Sequence, residues 1–473
     1  MASRRDQLQS YQFLTQRVIS AFVMRETDPA QSPLRRGIGA VFAGLMIAVM
    51  VGAAFGVYGL LTKMGSDTWK TDGAIVVEKE TGATYVYSGG QLHPMLNYAS
   101  ALLDTVGATS SGTPSVFQES SSSLVGVPRG VMLGIPNAPA SLPGASNTAG
   151  APWTLCTAAT AATGDATTTT LALSVAPAGA QPLGDKSLLV SDPETNTTYL
   201  IWHGTRYQID KQVVPALFGI VSPIPGGTAW LNGLPRGADI GPITISGNGS
   251  PSPAVDGHRI GDLLVTQVGN GGVDYWLVLS DGLAPITELQ KDIVAAGQSG
   301  QQPQQISVSD STRLPQSTQL QPASGAAAPP ERPPALAQLT DPTDPLCAAF
   351  TGAKQPPAVS IGGKLPVAGT GTPTGSGASN GAVLADRVVV PAGRAEVVRV
   401  MASATTAAGG YYLVTDLGIR YAIASDDVLK ALGYQPSAAV AMPDDLVRLI
   451  PAGPALDPAA AKTPVSGAST GGS

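Results

Sequence analysis

The sequence predicts an α+β protein: a single N-terminal transmembrane helix, then a region in which four small α/β repeats accompany a central β-rich core. Three observations predict it. An uncharged apolar span lies near the N-terminus, a strand–turn–strand–helix unit is written four times downstream, and one isolated pair of cysteines falls between the copies.

The first segment, residues 1–36, contains RRDQLQSYQFLTQRVISAFVMRE, which reads as an amphipathic helix. Leu8, Tyr11, Leu14, Val18 and Phe22 recur at three- and four-residue steps on one face. So short a helix is marginal alone, so the stripe is expected to dock on something. Lipid headgroups and a partner protein are the two candidates. The partner is favoured, because the basic residues are few and mixed with Asp6 and Glu26.

The second segment, 37–62, holds the uncharged run Gly37–Leu61. About 25 residues at 1.5 Å each exceed the roughly 30 Å of a bilayer's hydrocarbon. A cleaved signal peptide is the rival reading, disfavoured by the long leader and by an apolar stretch beyond a typical h-region. Arg4, Arg5, Arg17, Arg25, Arg35 and Arg36 all precede the span, which places the N-terminus in the cytoplasm and the bulk outside. Gly52 and Gly56 form a G-x-x-x-G, a weak signal for a helix-packing face.

The repeats are read over 74–107, 187–219, 261–297 and 398–433. Each has an apolar strand and a second strand entered at tyrosine: Tyr85, Tyr199, Tyr275, Tyr412. A glycine turn follows (Gly90, Gly204, Gly282, Gly418), then an apolar anchor (Met95, Ile209, Ile286, Ile423). Helix N-caps are expected at Asn97, Asp210, Thr287 and Ser425, with Gln290 completing a capping box. A unit of about 35 residues cannot bury a sizeable core alone, so the units must pack on each other or on the sequence between them.

That sequence, 108–186, 220–260 and 341–397, reads as unrepeated, β-prone core and linker. Three segments are expected to be disordered for want of large apolar residues: the Gln/Pro-rich linker 298–340, a Gly-rich loop near 369–381, and most of the tail 434–473. Two repeats precede the midpoint and two follow, which hints at a quasi-two-fold arrangement.

Cys156 and Cys347 are the only cysteines, and both fall on the outer side. An isolated pair in an oxidising compartment reads as a disulfide; two unpaired buried thiols are the alternative. The net charge of −6 comes with no basic stripe, so a nucleic-acid partner is excluded.

The sequence offers no catalytic, cofactor or metal candidate. Gly179, Gly184, Lys186 and Ser187 imitate a P-loop, but the lysine comes a residue late and Pro182 stands where backbone N–H groups should cradle phosphate. Lys186-Ser187 also open a strand rather than a helix, so a β-turn is expected. His93, His203 and His258 lack metal-ligand spacing, and no G-x-S-x-G is present.

Several strings resemble the EccB family, the single-pass membrane component of actinobacterial type VII (ESX) secretion machines. They are RRDQLQSYQFLTQRV, ETGATYV, LHPMLNYASA (Leu92–Ala101), RGVMLGIPNAP (Arg129–Pro139), WTLC and LCAAF. The resemblance implies an elongated outer region with a central β-rich core, a disulfide matching Cys156–Cys347, and four α/β repeats with quasi-two-fold symmetry. It implies partners as well: the EccC motor ATPase, EccD and EccE, in a roughly six-fold complex with homo-oligomeric contacts. The location implied is the cell membrane. Some members carry an ATPase label, which is the one ground for ATP. The expected function is therefore a non-catalytic scaffold of the secretion complex. The alternatives are an ATP hydrolase, or an anchored cell-wall binder using Trp202 and Trp276.

Overall fold

The computed structural model describes residues 3–25, 34–63, 67–107, 114–160, 166–269, 271–298, 300–321, 323–325, 327–364, 371–374 and 383–465. The chain divides into two units, Met1–Trp69 and Lys70–Ser473.

The first unit consists mainly of two helices, Arg4–Met24 and Leu34–Lys63. Ser3 starts the former with a capping box, its hydroxyl accepting from the Asp6 N–H while the Asp6 carboxylate accepts from the Ser3 N–H. Within the latter, Gly37–Tyr58 is long and apolar enough to cross a membrane.

In the second unit each repeat builds one four-stranded sheet. In repeat 1, Ala74–Glu78 pairs antiparallel with Thr84–Ser88, which pairs with Gln91–Pro94. Val116–Glu119 then returns parallel on the other side of the first strand. Repeats 2, 3 and 4 repeat this order, with Ile224–Pro225, Gln304–Gln305 and Val440–Pro443 as the returning strand. The first strands of repeats 2 and 4 run apolar because both faces are covered: Leu188, Val190 and Val398 join the central core, while Leu189 and Val397 pack with the repeat's own helix on the other face.

The unit is therefore longer than the sequence reading allowed, and part of the intervening sequence repeats. After the returning strand comes a short helical turn and then a fifth segment beside the third strand. Its mark is a proline whose carbonyl accepts a third-strand N–H: Leu92 donates to Pro128, Arg206 to Pro235, Leu283 to Pro315 and Arg420 to Pro451. Two residues on, the N–H of Gly130, Gly237, Ser317 or Gly453 donates back to the same third-strand residue. The tetrapeptides concerned are VPRG, LPRG, LPQS and IPAG.

Two expectations of disorder are corrected by these contacts. Residues 298–340 carry the Gln304–Gln305 strand and the Val308–Arg313 helix, the latter capped by Ser307. The tail from 434 carries Val440–Pro443, Asp444–Arg448 and Pro458–Ala461, with Leu446, Val447, Ile450 and Leu456 fully buried. Composition misled because these stretches are held through backbone carbonyls and a few large side chains. Most of the Gly-rich loop lies outside the described residues. The fourth repeat also begins earlier than expected, its first strand being Ala395–Met401.

A seven-stranded sheet forms the centre, with Trp153–Ala159 against Leu346–Phe350 at its middle. Trp153, Leu155, Leu171, Leu346, Ala348 and Phe350 are buried there, and Trp230 closes the layer, its Nε1–H donating to the Leu155 carbonyl at 3.1 Å. The Thr228–Gly233 helix of repeat 2 and the Asp444–Arg448 helix of repeat 4, equivalent in position, pack together over this sheet. Around it the repeats pair in a nested way. Repeat 1 shares a core with repeat 4 through Leu103, Leu413, Leu429 and Leu456, and repeat 2 meets repeat 3 through Val213, Val214, Leu289 and Ile293. Exchanging 1 with 3 and 2 with 4 preserves every one of these contacts, which is a quasi-two-fold relation in connectivity.

Candidate interaction surfaces

The N-terminal stripe is laid out as the periodicity predicts. Leu8, Tyr11, Leu14, Val18 and Phe22 all lie on the Arg4–Met24 helix and are all exposed, Phe22 at 87%. An apolar stripe left in water loses the stabilisation its burial would bring, roughly 25 cal/mol per Å². Gly52 and Gly56 lie one turn apart on the Leu34–Lys63 helix, each with open space where a side chain would project. A neighbouring helix could approach closely there.

Cys156 and Cys347 form a disulfide. They face each other across the two central strands, in register, with Cα atoms 4.1 Å apart. Both sulfurs sit in an apolar layer with Ala172 and Val389. The bond joins points 191 residues apart, one on each side of repeats 2 and 3.

The four tyrosines that open the second strands share a feature the sequence reading missed: each ring has a cation near its face. Arg129 lies 4.3 Å from the Tyr85 centroid, Arg206 5.6 Å from Tyr199, Lys291 5.0 Å from Tyr275 and Arg420 5.1 Å from Tyr412. The cation comes from the third strand in repeats 2 and 4, the fifth segment in repeat 1 and the helix in repeat 3. Such contacts contribute about 0.5–2 kcal/mol each, more where water is excluded. Burial pulls the Arg206 guanidinium below the usual arginine range, while Tyr199 and Asp445 act to hold the charge.

Three of the expected N-caps cap. The Asn97 side chain accepts from the Ser100 N–H, Ser425 from Val428, and Thr287 with Gln290 forms a capping box. Asp210 does not. Its carboxylate accepts from the Gln212 N–H, and the helix starts later, at Val214, with Pro215 in its first turn. Proline supplies the helical φ without needing a donor, so the cap moves beyond the aspartate.

The P-loop imitation is a turn. Gly179 and Gly184 both have positive φ, and Gln181–Pro182 between them forms an edge strand of the central sheet. Lys186 closes a turn by donating its N–H to Leu183. Ser187 opens the Ser187–Asp192 strand and donates its N–H to the Ala335 carbonyl. Phosphate recognition needs a run of free N–H groups at a helix start; here the chain runs from turn to strand.

The histidines serve turns and strands. His93 Nδ1 lies 3.2 Å from the Val131 carbonyl, and His203 stacks on Trp202 at 3.9 Å with Asp185 at 3.0 Å from its Nε2. His258 lies 3.6 Å from Asp262 in the entry loop of repeat 3. Trp276 donates its Nε1–H to Thr266 Oγ1 within its own sheet. No cluster of three His, Cys, Asp or Glu side chains able to hold a metal ion occurs among the described residues. The described residues thus hold four cation–tyrosine pairs within the repeats, an exposed apolar stripe, and a helix long and apolar enough to cross a membrane.

Residues 1–468 match the family described as "Type VII secretion system ESX-1, transport TM domain B". The chain is 30% identical to the ESX-2 secretion system ATPase EccB2 of Mycobacterium tuberculosis, over 96% of this chain and 93% of that protein. It is also 30% identical to the ESX-3 secretion system ATPase EccB3 of Mycolicibacterium smegmatis, over 96% and 89%. Among solved structures, it is similar to the EccB3 dimer from the ESX-3 core complex (26% identity, TM-score 0.61, 82% of this chain and all of that one). A chain of the intact ESX-5 inner membrane complex also shares the fold (24% identity, TM-score 0.61, 100% and 97%). With a helix long and apolar enough to cross a membrane, a disulfide-joined core and four small sheets around it, the chain belongs to the EccB family of type VII (ESX) secretion membrane components.

Proposed function

We propose that this protein is a non-catalytic structural component of a type VII secretion complex in the cell membrane. Its N-terminus is cytoplasmic and its four repeats lie outside. The observation that carries this reading is the family match over residues 1–468, from the stripe-bearing helix through all four repeats. The arginines at positions 4, 5, 17, 25, 35 and 36, all before the apolar span, support the orientation.

In this reading the exposed face of Leu8, Tyr11, Leu14, Val18 and Phe22 docks on other membrane components, EccC, EccD and EccE by family analogy. The Gly52–Gly56 face admits a neighbouring membrane helix, and the repeats supply assembly or exit-path surfaces. The word ATPase in the relatives' names is given no residue here, since the one segment that imitates a phosphate loop is a turn leading into a strand.

The test is copurification. Tagged protein extracted in mild detergent is expected to bring down a high-mass complex containing a motor ATPase; a lone monomer would overturn the reading. ATP hydrolysis by the pure protein that disappears in Lys186→Ala would establish the enzyme instead.

A further inference from the structure

Repeats 2 and 3, although joined through Val213, Val214, Leu289 and Ile293, leave a cavity of about 1330 Å³ beside that contact. That volume exceeds the roughly 300–1,000 Å³ of a small-molecule site, which suits a stretch of polymer better than a metabolite. Trp202, His203, Tyr207 and Ile240 line one side, and Leu289 and Ile293 the other.

A proline-rich strap, Ala327–Leu336 (AAPPERPPAL), borders the same cavity. It is held along its length by backbone N–H groups of the two repeats. Ala238 donates to the Ala327 carbonyl, Leu289 to Glu331 and Ser187 to Ala335, each at 2.9 Å. The receiving side thus presents spaced N–H donors beside aromatic rings. That combination recognises an extended proline-rich chain, which lacks most of its own donors and offers carbonyls and flat apolar rings.

We propose that the space between repeats 2 and 3 is a docking groove for an extended proline-rich segment of a partner polypeptide, with the Ala327–Leu336 strap as its built-in competitor. The strap forms one wall of this space and occupies its N–H donors. A partner segment of the same chemistry takes those donors by displacing the strap.

The experiment uses the full chain in lipid nanodiscs and a fluorescent synthetic peptide, AAPPERPPAL, with a control in which all four prolines are serine. The strap is weakened by the combined change Pro329→Ser, Pro330→Ser, Pro333→Ser and Pro334→Ser. Saturable binding at least tenfold tighter in the weakened variant than in the parent, and at least tenfold weaker for the serine peptide, is expected. Adding Trp202→Ala to that variant is expected to abolish binding. Hydrogen exchange gives a readout independent of that substitution: the peptide should restore slow exchange at the Ala238 and Leu289 amides of the weakened variant. Absence of saturable binding, equal binding of the serine peptide, or unchanged exchange at both amides would overturn the proposal.

Discussion

The backbone of Gly237 lies against the ring of Tyr207, so closely that a methyl group at Gly237 would overlap the ring carbons. The relationship recurs. Gly130 packs on His93 and Gly453 on Tyr421 in the same way, each ring standing one residue after the third-strand position that the fifth segment binds. In repeat 3 the ring is replaced by Ala284, and there alone the glycine is replaced, by buried Ser317. The residue without a side chain is therefore dictated by the ring opposite.

Gly237→Ala is expected to destabilise the outer region by about 1–3 kcal/mol through overpacking. In a Tyr207→Ala background the same change should cost nothing further, because the overlap is gone. A double-mutant cycle on denaturant midpoints measures the coupling, and additive effects would refute the account.

Cys347→Ser removes a bond that closes a 191-residue span. The chain-entropy model predicts a loss on the order of 5 kcal/mol, with typical measured losses of about 2–5 kcal/mol. Nonreducing gels should show the parent migrating faster than the variant, and reduction should erase the difference. Equal mobility before reduction would mean that the thiols are unpaired.

Glu396 gives a pH dependence. It is buried, its carboxylate accepts from the Gly150 N–H, and burial raises it above the usual carboxylate range despite that bond. The sign follows from the raised folded-state value. Below the unfolded carboxylate range both states are protonated and no penalty exists. As pH rises through that range to the raised value the folded state loses stability, and above it the loss is complete. Glu396→Gln keeps an acceptor for Gly150 and removes the charge. The variant should therefore unfold at a higher temperature than the parent at pH 7.5, with the gap closing near pH 4. A gap independent of pH would rule out the carboxylate as its source.

Leu14→Glu combined with Phe22→Glu places charges on the exposed stripe. Recovery of partner proteins in the copurification should fall at least tenfold, while the melting temperature of the outer region stays unchanged. Undiminished recovery would show that the stripe does not dock on protein, and loss of membrane association instead would indicate lipid.

The first half of each repeat was legible because it carries strong local signals: an apolar strand, a tyrosine, a glycine turn and, in three of four copies, a working cap. The second half was not, for a physical reason. Its returning strand shrinks to two residues in repeats 2 and 3, Ile224–Pro225 and Gln304–Gln305, too short for alternation to show. Its fifth segment is held by single bridges around a proline, and proline in a polar stretch reads as linker. The one recurring clue was the VPRG, LPRG, LPQS, IPAG series, at variable distance from the first strands. The disulfide was legible from cysteine count and compartment, but its place directly across the central strands was not. The cations near the four tyrosines come from three different elements, and no sequence spacing joins them.

The nested pairing of repeats sets a schedule. Repeats 2 and 3 are neighbours in the chain and can meet soon after both exist. Repeat 1 cannot: its helix is covered by Leu429, Leu456 and Ala461, more than three hundred residues later. At about 5–20 residues per second, the roughly 360 residues between Leu103 and Ala461 take on the order of 20–70 s to make. For that interval the first repeat exists with its apolar face bare. A chain truncated before repeat 4 therefore stays permanently in the condition that the intact protein passes through only once, at birth.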